Sequence, residues 1–157
     1  MNFKVIFSSS KCIESLVIAM LIDKDLLKYE EKVAHYWPEF AQYGKSDIRL
    51  EDVLRHESGL ARFNGVVHQP EDILRENIKK NSIGSVIEKC AQVFPNYDKS
   101  IGSKREYHAA TRGFILNEIV RRVDPKKRYS FKCYNLTLHF KKEVQVYFHF
   151  IYKFLIS

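Results

Sequence analysis

Glycine and proline are scarce in this 157-residue chain, at six and four residues. That scarcity excludes a collagen-like, linker-rich or largely disordered polypeptide. Cysteine is scarcer still: Cys12, Cys90 and Cys133 are odd in number and far apart, which speaks against a disulfide scaffold or a cysteine-based zinc site. A reducing, intracellular setting is the corresponding expectation. No stretch reaches the roughly 18 apolar residues of a membrane-spanning helix, so no transmembrane segment is expected. The N-terminus lacks a basic region followed by an apolar run and a small-residue cleavage site, so neither is a signal peptide. What is present is the composition of one ordinary globular domain, 45% hydrophobic and 29% charged, long enough to bury a core without covalent staples.

Acidic residues are nearly absent from one region. Residues 126–157 hold Lys126, Lys127, Arg128, Lys132, Lys141, Lys142 and Lys153 against the single acid Glu143, so six of the seven net positive charges lie there. The first 125 residues are close to neutral. A near-neutral body with a basic tail is not a groove built to track phosphates, and no nucleic-acid partner is expected.

Hydrophobic spacing divides the chain into helices and one β-prone segment. From Ser10, the positions Ile13, Leu16, Val17, Met20 and Leu21 form the apolar stripe of an amphipathic helix, with serine hydroxyls available as caps and residues 3–7 readable as the end of a strand. A second short helix is expected over Tyr29 to Phe40, stopping near Pro38. A third runs from Ile48 to Arg55, with Asp47 as its cap. Helical patterns follow at Pro70 to Asn81 and Ser85 to Val93, then a polar loop over residues 95–105. A longer helix is expected from Tyr107 to Val123, with Leu116, Ile119, Val120 and Val123 facing the core, ended by Asp124-Pro125. Beyond Pro125, Leu136, Leu138, Phe140, Val144, Val146, Phe148 and Phe150 alternate with period two, as a hairpin would.

Within this framework Ser8 and Lys11 are three apart at the first turn of the first helix, so both side chains can face one way. An S-x-x-K spacing arises by chance about once in a chain of this composition, and a serine-capped helix with an exposed lysine is the plainer reading of it. Other segments add context. Tyr36-Trp37-Pro38-Glu39-Phe40 precedes Gly44-Lys45. Leu54-Arg55-His56-Glu57-Ser58-Gly59-Leu60 forms a turn, and Tyr107-His108-Ala109 precedes Gly113, Leu116, Ile119 and Val120. In this order the segments resemble the serine β-lactamase and penicillin-binding-protein superfamily, in its β-lactamase-related, class C-like esterase and peptidase branch. The matching motifs there are S-x-x-K, Y-x-P-E-F, L-x-H-x-S-G-L and Y-x-N.

The resemblance implies an α+β, β-lactamase/transpeptidase-like fold, of which this chain holds mostly the helical part, with a β-prone C-terminal tail. Residues 1–125 are the partial domain; residues 126–157 do not resemble the family. The implied activity is hydrolysis of a small-molecule or peptide ester or amide through an acyl-enzyme, with Ser8 as nucleophile, Lys11 as its activating base and Tyr107 as proton shuttle. The physical logic is direct. A serine hydroxyl is a poor nucleophile unless a neighbour takes its proton; a lysine one helical turn away and shielded from water can do so, or can hold Tyr107 as the phenolate that does. Helix N-terminal N–H groups then receive the oxyanion. No metal or organic cofactor is needed. Ser9 and Ser10 have no lysine three residues on. His56 remains an alternative general base, although in the resembled turn it serves architecture, and Tyr107 taken alone reads more readily as a core aromatic. Two departures stand out. Ala109 replaces the asparagine of Y-x-N, and no K-T-G or H-x-G strand follows Pro125. The competing reading is therefore a non-catalytic fragment or pseudoenzyme acting through protein contacts.

Overall fold

The computed structural model describes residues 7–63, 65–66, 69–73, 77, 80–93 and 105–125. The alternating segment beyond Pro125, most of the 95–105 loop and the start of the expected N-terminal strand lie outside the described residues. Five α-helices are present among those residues: α1 (Ser10–Ile22), α2 (Val33–Tyr36), α3 (Leu50–Leu54), α4 (Ser82–Lys89) and α5 (Thr111–Val123). Single 3-10 turns occupy Phe7–Ser9, Pro38–Ala41 and Pro70–Ile73. None of these helices is long and apolar enough to cross a membrane.

Helix α5 is the axis of the assembly, packing against α1, α2, α3 and α4. Its stripe Ile115, Leu116, Ile119 and Val120 is buried together with Val17, Ile18 and Leu21 of α1, Val53 of α3 and Ile83 and Ile87 of α4. Full burial of each such side chain contributes about 1.5–3 kcal/mol, so the apolar periodicity of these helices is what holds the bundle together. Leu16 departs from the expected stripe: it is 48% exposed, because no described element covers that side of α1.

The N-terminus of α1 forms differently from expectation. Ser9 is already helical (φ −60°, ψ −21°) and its side chain makes no cap hydrogen bond. The chain enters α1 through the Phe7–Ser9 3-10 turn instead of an extended cap, and so the hydroxyl of Ser8 is not consumed by the helix. The expected second helix is a single α-turn, α2, followed after Trp37 by a 3-10 turn. Pro38 lacks the N–H that continuation would need. Asp47 does not cap α3; it pairs with Lys32 at 2.7 Å, and Asp52, from inside the helix, accepts the Arg49 N–H at 2.9 Å. Strand-like pairing among the described residues is confined to one antiparallel bridge, Lys32 with Arg49.

The aromatic segment at residues 36–40 locks α4 and α5 to this layer. Trp37 is fully buried; its indole N–H donates to Glu88 at 2.8 Å, and the Arg122 guanidinium lies 4.2 Å from its ring centroid. Lys45 is fully buried as well. Its ammonium donates to the carbonyls of Glu88, at 3.0 Å, and Cys90, so it closes the C-terminal end of α4 where the helix carbonyls lack partners. Burial holds its pKa below the usual lysine value. Helix α4 starts three residues before the expected Ser85, after Asn81 adopts a left-handed conformation (φ 63°).

Candidate active site

Two segments 99 residues apart in sequence meet at the entry to α1. Ser8 projects from the 3-10 turn, and Tyr107 comes from the non-helical segment before α5. The Tyr107 hydroxyl donates to Ser8 Oγ at 2.6 Å. Lys11, one turn further into α1 and half-buried, donates from Nζ to the main-chain carbonyl of Ala109 at 2.8 Å and lies 5.0 Å from the Tyr107 ring centroid. The serine, the ammonium and the phenol thus occupy one surface. Both Ser8 and Tyr107 reach solvent, Tyr107 with 52% of its surface exposed.

The electrostatics of this surface ease ionisation of the phenol. The Ser8 hydroxyl, free to turn its proton toward the phenol oxygen, holds Tyr107 below the ordinary tyrosine pKa. Partial burial opposes that effect, the Lys11 ammonium adds to it, and the charge of Glu14 works against it. A hydrogen bond to the charged form and a nearby cation both stabilise an anion.

The Tyr107 segment is held by the turn that follows α3. Helix α5 starts at Thr111, not at Tyr107, so residues 106–108 are free of the helix and hydrogen-bond to that turn. Glu106 N–H donates to the His56 carbonyl at 3.0 Å, and His108 N–H donates to His56 Nδ1 at 3.0 Å. The His108 ring is fully buried. Its Nε2 accepts from the Leu60 N–H at 3.3 Å and faces the Ser58 hydroxyl at 2.7 Å, and its Nδ1 meets the Glu106 carbonyl at 2.5 Å. These partners fix a neutral ring with its proton on Nδ1. His56 has a left-handed backbone (φ 64°), as does Gly59 (φ 70°); glycine is the residue that takes this conformation without a Cβ penalty. His56 is pushed down to about 4 by burial first, then by His108 and the nearby cations Arg112, Lys11 and Arg105. With its Nδ1 lone pair already engaged, it braces the Tyr107 segment instead of standing ready as a base.

Ala109 removes the amide of Y-x-N, but the lysine keeps an oxygen partner because a backbone carbonyl takes that part. Beneath the site lie two residues that sequence reasoning did not single out. Glu14 and Arg112 are 2% and 3% exposed and form an ion pair between α1 and α5. Charged residues at inward positions break the amphipathic rule, and that break was the only signal in the sequence that could have found them. Cys12 is exposed on α1, and Cys90 is buried, its thiol pushed up to about 11 by burial.

A helical layer with a serine, a lysine and a tyrosine gathered at the start of α1 defines the class: the helical part of a β-lactamase/transpeptidase-like fold. The beta-lactamase family model matches residues 5–133, and the chain belongs to the beta-lactamase family. It is 34% identical over 122 residues to Esterase/beta-lactamase LipL of Mycobacterium tuberculosis (strain ATCC 25618 / H37Rv), covering 78% of this chain and 26% of that protein. Among solved structures it is similar to a novel penicillin-binding protein homolog from Caulobacter crescentus, with a TM-score of 0.60 and 33% identity over 80% of this chain and 30% of that one. A family VIII carboxylesterase superposes with a TM-score of 0.62 at 28% identity, over 80% of this chain and 31% of its own. The chain thus spans less than a third of the length of these relatives.

Proposed function

We propose that this chain is a serine hydrolase of the β-lactamase-related type, acting on an ester or amide through an acyl-enzyme. The observation that carries the reading is the 2.6 Å contact between the Tyr107 hydroxyl and Ser8 Oγ, beside an ammonium anchored on the same segment. In the proposed cycle Tyr107, as phenolate favoured by Ser8 and Lys11, takes the Ser8 proton. Ser8 Oγ bonds to the substrate carbonyl carbon, and N–H groups at the start of α1 receive the oxyanion. Tyr107 returns its proton to the leaving alcohol or amine as the scissile bond breaks. Water, deprotonated by Tyr107, bonds to the acyl carbon; the bond to Ser8 Oγ then breaks, the acid leaves and Tyr107 returns the proton to Ser8.

Esterase relatives favour small ester substrates over peptides. A fluorophosphonate probe tests the reading: covalent labelling of the wild type, lost in Ser8→Ala with an unchanged circular dichroism spectrum, is the expected result. Absence of labelling on folded wild type would overturn it. A second reading, a non-catalytic module acting through protein contacts, is favoured by one observation: among the described residues no strand lies beside Ser8 to supply a second oxyanion donor. Losing one such donor costs about 3–4 kcal/mol in the transition state.

A further inference from the structure

We propose that the buried Glu14–Arg112 pair is a positioning device that sets the register of α1 against α5, and with it the approach of Tyr107 to Ser8. The proposal rests on the hydrolase reading for its catalytic meaning. Arg112 is the second residue of α5, five positions after Tyr107 and three after Ala109. One branch of its guanidinium meets the Glu14 carboxylate. The other donates to Ser15 Oγ at 2.8 Å, and that hydroxyl donates to the main-chain carbonyl of Lys11 at 3.1 Å. Arg112 therefore grips α1 at two adjacent residues and reaches, through Ser15, the backbone of the lysine itself.

Two other polar links between these segments are more exposed. Tyr107 to Ser8 and Lys11 to Ala109 each consist of a single hydrogen bond at the solvent-facing side of the contact. The fork of Arg112 is buried and planar, and fixes both distance and angle. A role in raw stability explains the pair poorly. Buried ion pairs are frequently no more stabilising than apolar residues of the same volume. Arg112 Nε has no hydrogen-bond partner among the described residues, and burial keeps the Glu14 pKa above the ordinary carboxylate value despite Arg112 and Lys11. Burial of the carboxylate thus works against its ionisation even beside two cations.

The test uses the full chain with three changes: Arg112→Lys, Glu14→Gln, and the double replacement of Glu14→Leu with Arg112→Met. Two quantities are read: the fluorophosphonate labelling rate and the titration of the Tyr107 ring, followed by NMR with 13Cζ-labelled tyrosine and assigned through Tyr107→Phe. A labelling rate reduced about 10- to 100-fold, with a Tyr107 pKa that rises toward the ordinary tyrosine value, is expected in all three. In Glu14→Gln the rise is diagnostic, because removing a nearby negative charge would by itself lower that pKa. The double variant is expected to melt at or above the wild-type temperature while still labelling slowly, a result that a merely structural role would not produce. Wild-type labelling and wild-type Tyr107 titration in the folded Arg112→Lys variant would overturn the proposal. If the wild type itself does not label, the hydrolase reading falls, and the Tyr107 titration alone decides the register claim.

Discussion

The hydroxyl of Tyr107 meets Ser8 Oγ and its ring lies 5.0 Å from the Lys11 ammonium, yet more than half of the residue is open to water. Removing only that hydroxyl separates chemistry from folding. Tyr107→Phe is expected to keep the wild-type melting temperature and to label with fluorophosphonate at least about 100-fold more slowly, measured as a second-order rate. The histidines behind it make a different prediction. His56 accepts a backbone N–H on Nδ1, so a proton there sets two donors against each other. Its folded pKa, about 4, lies below its ordinary 6.5, and burial lowers His108 in the same direction. The unfolded chain therefore binds more protons through this window. Stability contributed by the neutral rings is present above about 6.5 and is lost as pH falls toward 4. Melting temperatures recorded across that interval are expected to decline with acid, and less steeply in His108→Gln. Motif order in the sequence singled out Ser8, Lys11 and Tyr107 as candidates, and their roles stay with the proposed function; the bracing by His108 had no such marker. A helix start at Tyr107 would have pointed that ring elsewhere, and nothing local distinguishes a non-helical Tyr-His-Ala from a first helical turn.

Between elements, α4 approaches α5 closely at Gly84. A Cβ on Gly84 would lie 2.1 Å from Asn81 Oδ1 and 3.1 Å from Glu118 Oε2. Asn81 Oδ1 accepts from Arg121 and Arg122, each at 3.0 Å, and Glu118 is fully buried between the same two arginines. Gly84→Ala should thus displace Asn81 and loosen a polar cluster that the interior cannot resolvate. An expected cost of about 1–3 kcal/mol is measurable as a shift in urea midpoint at constant slope. Helical periodicity made α1 and α5 legible, because four or five apolar residues at the right spacing are a strong signal. It failed at the edges of elements. Helix α4 begins at a left-handed asparagine and α5 behind an alanine, neither with a capping side chain, so no chemical marker stood at either start. Leu16 fits its stripe and still lies half in solvent, since periodicity reports a face and not what covers it.

For the molecule as a whole, the single tryptophan is a built-in reporter. Trp37 is buried where α2, α4 and α5 converge, stacked with Arg122 and hydrogen-bonded to Glu88. If these helices form one cooperative unit, the red shift of its fluorescence and the loss of helical circular dichroism should share one denaturant midpoint. Separate midpoints would show that the α4–α5 layer and the α1 layer unfold independently. The family could be read from the sequence because its motifs sit at turns and helix starts, where particular residue types are needed for backbone or chemical reasons. The Glu14–Arg112 link could not, because it pairs residues 98 apart whose partnership exists only after the helices dock. The main-chain anchor of Lys11 has a last consequence. An amide side chain can be lost by one substitution, whereas a carbonyl belongs to every residue type, so position 109 is released from duty toward the ammonium. Its exposed side chain is then a free handle for reshaping what enters the mouth of the site, and a library confined to that position should alter substrate preference while leaving the proton circuit intact.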